Sequence, residues 1–329
     1  MEAFNNSSKS LDICPYSCSF LGVTKLDCGY IAVLNELMIL LNCMFSPVTA
    51  LANALVLVAI YRHPTIHSPA NILLAGLAFS DMIVGLFIEP VYIASLVSAM
   101  NNRVHLSCVL REFCYRANFF FTPFSFLVVV CISLERWLAL HMRTKFQQMV
   151  TNRRIVKLLF IICVFCLFIN STWSWLPSTA CFGIAFAGVT ACLIINIAVY
   201  TNIFIVLRSC TLRLAPTSMS GDSRRSICSS TARFKKSVIT ALYIVFALCF
   251  CSFPYLVRNS LRVTIDYTVE MFITDHLTVS VLMTNSLINP FLYFWRNAGI
   301  RKASKTCSKK MLLTGFRRKN KVKHCCPNS

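Results

Sequence analysis

Charge is scarce in this chain. Only 13% of its 329 residues are charged, and acidic residues number 12 against 32 lysines and arginines. A water-soluble domain needs a charged surface, so this shortage, a 57% hydrophobic content and a mean hydropathy of +0.66 exclude one. Glycine is also rare, at nine residues, and no cysteine spacing suits a zinc site. No clustered nucleophile and base appears, which argues against an enzyme. There are no repeated halves and no paired broken helices, which argues against a transporter.

What the sequence does have is apolar length. A hydrocarbon core of about 30 Å needs roughly 20 apolar residues per helix. Seven runs of that order lie near 34–61, 70–97, 109–141, 154–176, 180–207, 235–258 and 270–294. The expected fold is an all-α membrane protein: a seven-transmembrane helix bundle over 34–295, with a tail at 1–33 and an inner segment at 296–329. Within 296–313, Ala298, Ile300, Ala303, Met311 and Leu312 stand among basic residues, as in a short amphipathic eighth helix lying on the membrane.

Orientation follows from the basic residues, because short Lys- and Arg-rich loops stay in the cytoplasm. With the N-terminus outside, Arg62, the loop at 143–154, residues 208–236 and residues 296–323 hold 23 of the 32. The outer segments then keep only Lys9, Lys25, Arg103, Arg258 and Arg262. A net charge of +20 distributed in this way fits membrane lipids and a cytoplasmic partner, not nucleic acid. Residues 1–30 show no cleavable signal peptide, so the first helix is expected to direct insertion. Asn5 and Asn6 head glycosylation sequons, whereas the sequon at Asn170 lies at membrane depth and is expected to be silent.

The 18 cysteines divide by compartment. Cys14, Cys18, Cys28, Cys108, Cys114 and Cys181 sit toward the oxidising face and are disulfide candidates, in pairings left open. Cys131, Cys163, Cys166, Cys249 and Cys251 lie within helices as small apolar packers. Cys307, Cys325 and Cys326 follow the last helix among basic residues and are candidates for palmitoylation.

Asp81 stands inside an apolar run, and the seventh run closes on Asn289-Pro290-Phe291-Leu292-Tyr293. Carboxylate and proline are both costly in lipid, so these positions point to a mechanism. Asp81 is expected to be the one carboxylate deep in the membrane. It needs polar partners at its own depth.

Together with Asn53, Leu77-Ala78-Phe79-Ser80-Asp81, Leu134-Glu135-Arg136-Trp137, Tyr200 and Pro254, all in order along seven helices, the chain resembles the rhodopsin-like (class A) G-protein-coupled receptors. The resemblance implies a cell-surface receptor that binds an extracellular ligand and activates a heterotrimeric G protein. It implies a polar pocket of Asn53, Asp81, Ser125, Asn285, Ser286 and Asn289, similar to the family's sodium site; no other cofactor is expected. It also implies a switch of Glu135, Arg136, Tyr200 and Tyr293, with both tyrosines turning inward to meet near Arg136 through water. Pro254 and Pro290 are expected to permit kinks, and Lys235 and Lys236 to offer a basic rim to the G protein.

There are departures. Arg111 stands where the family's outer disulfide cysteine usually lies, the second outer loop near Leu176–Thr179 is very short, Ser252 replaces a tryptophan, and Phe234 replaces an acidic partner of the arginine. Raised ligand-free signalling is the expectation from the last.

The ligand is read from the same positions. With no lysine in the seventh helix, a retinal Schiff base is excluded. Asn118 stands where monoamine receptors place a carboxylate. The short outer loop and the ending of the seventh helix look like the adenosine, melanocortin and cannabinoid cluster. In that likeness Asn259 is the adenine-binding amide and Thr122 a ribose-facing hydroxyl, with Phe119 beside them and Met283 where a ribose-binding histidine is usual. Alternatively, Arg111, Arg116 and Asn118 receive an acidic ligand, and a peptide or lipid ligand stays open.

Overall fold

The computed structural model describes residues 25–214, 221–261, 269–296 and 299–306. Among the described residues every element is helical: α1 (Lys25–Arg62), α2 (Pro69–Met100), α3 (Val104–Met149), α4 (Asn152–Ser171), α5 (Ser178–Leu214), α6 (Gly221–Leu261), α7 (Val269–Arg296) and α8 (299–306). Seven of them are long and apolar enough to cross a membrane. Several run beyond the expected spans: α1 starts at Lys25 instead of 34, α3 reaches Met149 instead of 141, and α6 starts at Gly221 instead of 235. Lipid thickness sets only the apolar stretch; the backbone ladder continues into water wherever propagation remains favourable.

α3 lies at the centre of the bundle, touching α2, α4, α5 and α6, while α7 closes the ring against α6, α1 and α2. Its inward face carries Phe124, Phe126, Val128, Val129 and Ile132 into one core with Leu73, Leu77, Ile203 and Ile244. Leucines and phenylalanines such as Leu51, Phe160, Phe204 and Phe246 point outward, as lipid requires.

The ends of α1 and α2 are stitched locally. Ser68 caps α2 by accepting from the Asn71 amide at 3.3 Å, Pro69 follows where no amide donor is needed, and His67 Nε2 meets the Ile60 carbonyl at 2.7 Å. Asn102, with φ of 57°, makes the turn from α2 to α3. Within α2, Val84–Ile88 forms a π turn before the helix resumes at Glu89. Such a turn contains one surplus residue and re-aims everything beyond it.

α8 buries Ile300 and Ala303 and exposes Arg301 and Lys302. Arg301 Nη1 donates to the carbonyls of Trp295 at 3.0 Å and Phe294 at 3.3 Å, capping the end of α7. Met311, Leu312, Cys307, Cys325 and Cys326 lie outside the described residues, as do Asn5, Asn6, Cys14 and Cys18. Among the disulfide candidates, Cys114 and Cys181 are free thiols. Cys108 is disulfide-bonded, to a cysteine whose side chain is not among those described.

Gly85 marks the closest approach of α1 and α2. A Cβ built there would meet the Ala50 backbone nitrogen and Thr49 Cβ, each at 2.8 Å, whereas at Gly76 it would meet only the flexible end of Leu159. Ser46 Oγ donates to the Gly85 carbonyl at 2.8 Å across the same seam. Gly85→Ala is therefore expected to destabilise the purified protein by about 1–3 kcal/mol, and Gly76→Ala by clearly less. Thermal unfolding midpoints of the two variants check the ranking.

Candidate functional site

The inner polar pocket is built from three helices around one carboxylate. Asp81, buried on α2, accepts from Ser286 Oγ at 2.8 Å through Oδ1 and from Asn289 Nδ2 at 2.8 Å through Oδ2. Pro290 has no amide hydrogen, so the Ser286 carbonyl four residues earlier loses its helical donor. Asn53 Nδ2 on α1 supplies that donor at 3.0 Å, while also bonding the Thr49 carbonyl at 2.9 Å. The proline and the asparagine are thus two halves of one arrangement, and α1, α2 and α7 are fastened through it.

A cavity opens beside Asp81, lined by Ser125, Asn285, Ser286, Met283, Asn118 and Thr122. The buried oxygens Asn53 Oδ1, Asn285 Oδ1 and Asn289 Oδ1 have no hydrogen-bond partner. A carboxylate with a surplus of buried acceptor oxygens suits a hard monovalent cation, so the residues present fit the sodium site that the resemblance implies.

A second cavity lies against the first, sharing Asn118 and Thr122. Its walls are otherwise mostly apolar: Phe119, Pro123, Phe182, Val189, Tyr255 and Leu256, with Asn259 at one side. Trp173 packs edge-on against both Phe119 and Phe182, with ring centroids 5.2 and 5.4 Å apart. Of the expected ligand residues, Asn118, Thr122, Phe119 and Asn259 line this chamber. Met283 instead lines the inner cavity, because its turn of α7 is level with Asp81.

Above the second cavity lies a cluster that the sequence reading missed. Asp275 on α7 is buried between Arg111 of α3 and Arg258 of α6, at 2.9 and 3.0 Å. Tyr115, one turn beyond Arg111, also donates to Asp275 Oδ2. Arg111 Nη2 lies 3.2 Å from His276 Nε2. Because a guanidinium only donates, that nitrogen must accept, which places the imidazole proton on Nδ1, where it faces the Tyr92 hydroxyl at 2.9 Å. Helices α2, α3, α6 and α7 meet here.

Two expectations are corrected. Asp81 is not the one deep carboxylate: among the described residues Asp275 and Glu89 are also buried within spans. Arg258 belongs to no outer loop but to the buried face of α6. A single charge inside an apolar window barely changes its hydropathy, so neither signal rises above the average of its segment. The spacing of Arg111 and Tyr115, four apart on one helical face, was the available clue. Arg116, expected near the mouth, is occupied: its Nε donates to Glu112 at 2.8 Å, and Glu112 also accepts from Trp173 Nε1 at 3.0 Å.

At the opposite end Arg136 is held by its neighbour Glu135 at 2.8 Å. Tyr200 does not meet Tyr293. Its hydroxyl lies 2.9 Å from Ser133 Oγ, which also donates to Asn196 Oδ1 at 2.6 Å. The Tyr293 hydroxyl is buried without a hydrogen-bond partner. In this structure the Tyr200 hydroxyl is satisfied by α3 and makes no direct contact with that of Tyr293. Lys235 and Lys236 are exposed on α6, and α6 and α7 run unbroken through Pro254 and Pro290.

The outer cluster contains two guanidiniums and one carboxylate, which makes its variants unequal. Removing the carboxylate strands two buried positive charges, so Asp275→Asn is expected to cost about 3–5 kcal/mol. Arg258→Gln leaves a one-to-one pair and is expected to cost far less. Thermal midpoints of the purified variants measure the difference.

The family profile described as "7 transmembrane receptor (rhodopsin family)" matches residues 52–293. The chain is 28% identical over 164 residues to the 5-hydroxytryptamine receptor 1B of Felis catus, covering 50% of this chain and 41% of that protein. It is 28% identical over 134 residues to the same receptor of Cavia porcellus and 27% identical over 134 residues to that of Homo sapiens, each match covering 41% of this chain and 34% of the relative. The chain therefore spans well under half the length of these curated relatives. A match over most of the chain, through all seven helices described above, shows that it belongs to the rhodopsin family of seven-transmembrane receptors.

Proposed function

We propose that this receptor sits in the plasma membrane with its N-terminus outside, binds an extracellular ligand in the chamber beneath Arg258, and activates a heterotrimeric G protein at its inner face. One observation supports this above the rest. The outer chamber and the Asp81 pocket share Asn118 and Thr122, so a group entering the first presses on residues that border the second. Asp81 in turn is fastened to Ser286 and Asn289 on α7, each four residues before Pro290 and Tyr293 respectively, so α7 connects the pocket to the inner end.

In this reading the Glu135–Arg136 pair is the resting state. Its release frees a guanidinium at the inner face, where Lys235 and Lys236 add positive charge for the partner. Phe234 brings no carboxylate to restrain that guanidinium, so among the described residues Glu135 is its one ion-pair partner, in keeping with raised ligand-free signalling. Arg136→Ala is expected to abolish nucleotide exchange on a G protein by receptor reconstituted in vesicles, whereas Glu135→Gln should raise the ligand-free rate several-fold. Equal exchange rates in all three proteins would refute the coupling reading.

The relatives are named as receptors for 5-hydroxytryptamine, but a protonated amine needs a buried carboxylate, and this chamber offers none that is unoccupied. Asn118 stands on α3 at the expected level, and Asp275 is already shared by two arginines. A nucleoside gains nothing from the relatives either. Asn259, its expected partner, accepts from Arg258 at 3.2 Å and donates to the Tyr255 carbonyl at 2.9 Å.

Asp81, Ser125, Asn285, Ser286 and Asn289, with Asn53 behind them, would hold sodium. The ion would supply a positive charge that the carboxylate otherwise lacks. Replacing sodium by a large organic cation at constant ionic strength is expected to lower the thermal midpoint of the receptor, and Asp81→Asn to remove the difference. A midpoint indifferent to sodium in the unmodified receptor would rule the site out.

A further inference from the structure

The two chambers have opposite hydrogen-bond characters. Around Asp81 the unpartnered buried atoms include the acceptors Asn53 Oδ1, Asn285 Oδ1 and Asn289 Oδ1; at the outer cluster the donors Arg258 Nε and Arg258 Nη2 outnumber the one acceptor, Asp275 Oδ1, and Asn118 Nδ2 adds a donor between the two chambers. Arg258 is almost wholly buried, and its one neutralising contact, with Asp275 Oδ1 at 3.0 Å, is not aligned as a hydrogen bond. Asp275 meanwhile gives its other oxygen to Arg111 and Tyr115. Among the described residues one carboxylate therefore serves two guanidiniums, and one positive charge is left over. Buried charge of this kind is retained only where something compensates it.

The chamber next to that charge is lined by Phe119, Pro123, Phe182, Val189 and Leu256, and Asn259 joins the two regions by accepting from Arg258. An apolar chamber bordered by Asn259, behind which a guanidinium keeps N–H groups without partners, is complementary to a molecule of matching polarity: a hydrocarbon body with one acidic head. A guanidinium fork also matches the two oxygens of a carboxylate.

Resting on the receptor reading above, we propose that the ligand is a single-chain amphiphile with a terminal carboxylate. Its chain fills the chamber between α3, α5 and α6, and its head takes the free N–H groups of Arg258. The head supplies the second negative charge of the cluster, so Arg111 keeps Asp275 and Arg258 gains its own partner. In doing so it draws the outer end of α6, through Arg258, into a cluster that α3 and α7 already share. No covalent chemistry is involved.

The test is made on purified full-length receptor in discs of zwitterionic lipid, without G protein, so that binding is read separately from coupling. Decanoate, decanol, decylamine and methyl decanoate are added at equal concentrations and the thermal midpoint is followed. Decanoate alone is expected to raise it, by about 2–4 °C near saturation. In Arg258→Gln the half-saturating concentration should rise about 10–100-fold, with Arg258→Lys between the two, since it keeps the charge but not the fork.

Equal stabilisation by decanol or methyl decanoate would overturn the proposal by showing that the acid is not recognised. No stabilisation by decanoate, or an undiminished response in Arg258→Gln, would overturn it as well. So would full stabilisation by discs containing phosphatidylserine with nothing added by decanoate, which would assign the charge to a membrane headgroup. If the glutamine variant is not recovered folded, the four-compound comparison on the unmodified receptor decides alone. A receptor that binds decanoate without driving nucleotide exchange would keep this inference and refute the coupling reading; one that drives exchange without binding decanoate would do the reverse.

Discussion

Lipid offers no hydrogen bonds, so each polar group this chain carries into the membrane has to be answered by another part of the chain. The arrangement around Asp81 obeys that constraint in the most connected way. Pro290 removes a donor from α7, Asn53 of α1 replaces it, and the same turn of α7 sends Ser286 and Asn289 to the carboxylate on α2. Three helices are registered to one another by groups that would each be a liability alone. The middle of α3 can then pack through Phe124, Phe126, Val128, Val129 and Ile132, with Ser133, Asn196 and Tyr200 as a small polar island nearer the inner end.

Against this background the outer cluster looks deliberate in its imbalance. Its inner counterpart at Asp81 has excess acceptors, and it has excess donors. The two lie along one path, separated by Asn118 and Thr122, so the interior is polarised from one end to the other. A receptor needs a place where a small change of charge is felt at a distance, and low surrounding polarity makes such a change large.

Much of the frame was legible in the residues. Seven apolar runs predicted seven helices because lipid thickness is a fixed length, and the ordered placement of Asn53, Asp81, Arg136, Pro254 and Pro290 identified the family. Their ends were not legible: α1, α3 and α6 continue into polar sequence where lipid no longer constrains composition. Of the site, the partners of Asp81 on α7 were expected and are found in contact with it. The partners of Asp275 were not, because Arg258 and Asp275 are far apart along the chain and each resembles an ordinary residue near a helix end. Only three-dimensional closure brings Arg111, Arg258 and Asp275 together. Tyr200 went astray for a related reason: Ser133, a small residue just before the Leu134–Trp137 motif, satisfies the hydroxyl first.

The π turn at Val84–Ile88 has a consequence for how the two chambers came to share one helix. Each residue of an α-helix advances its side chains by about 100°. With the surplus residue, Asp81 below the turn faces α7 at one level and Tyr92 above it faces His276 of the same helix at another. Losing one residue from that stretch would leave the lower half where it is and swing Tyr92 toward the hydrocarbon. The phase of the helix, rather than the identity of any side chain, would then have uncoupled the halves of the molecule.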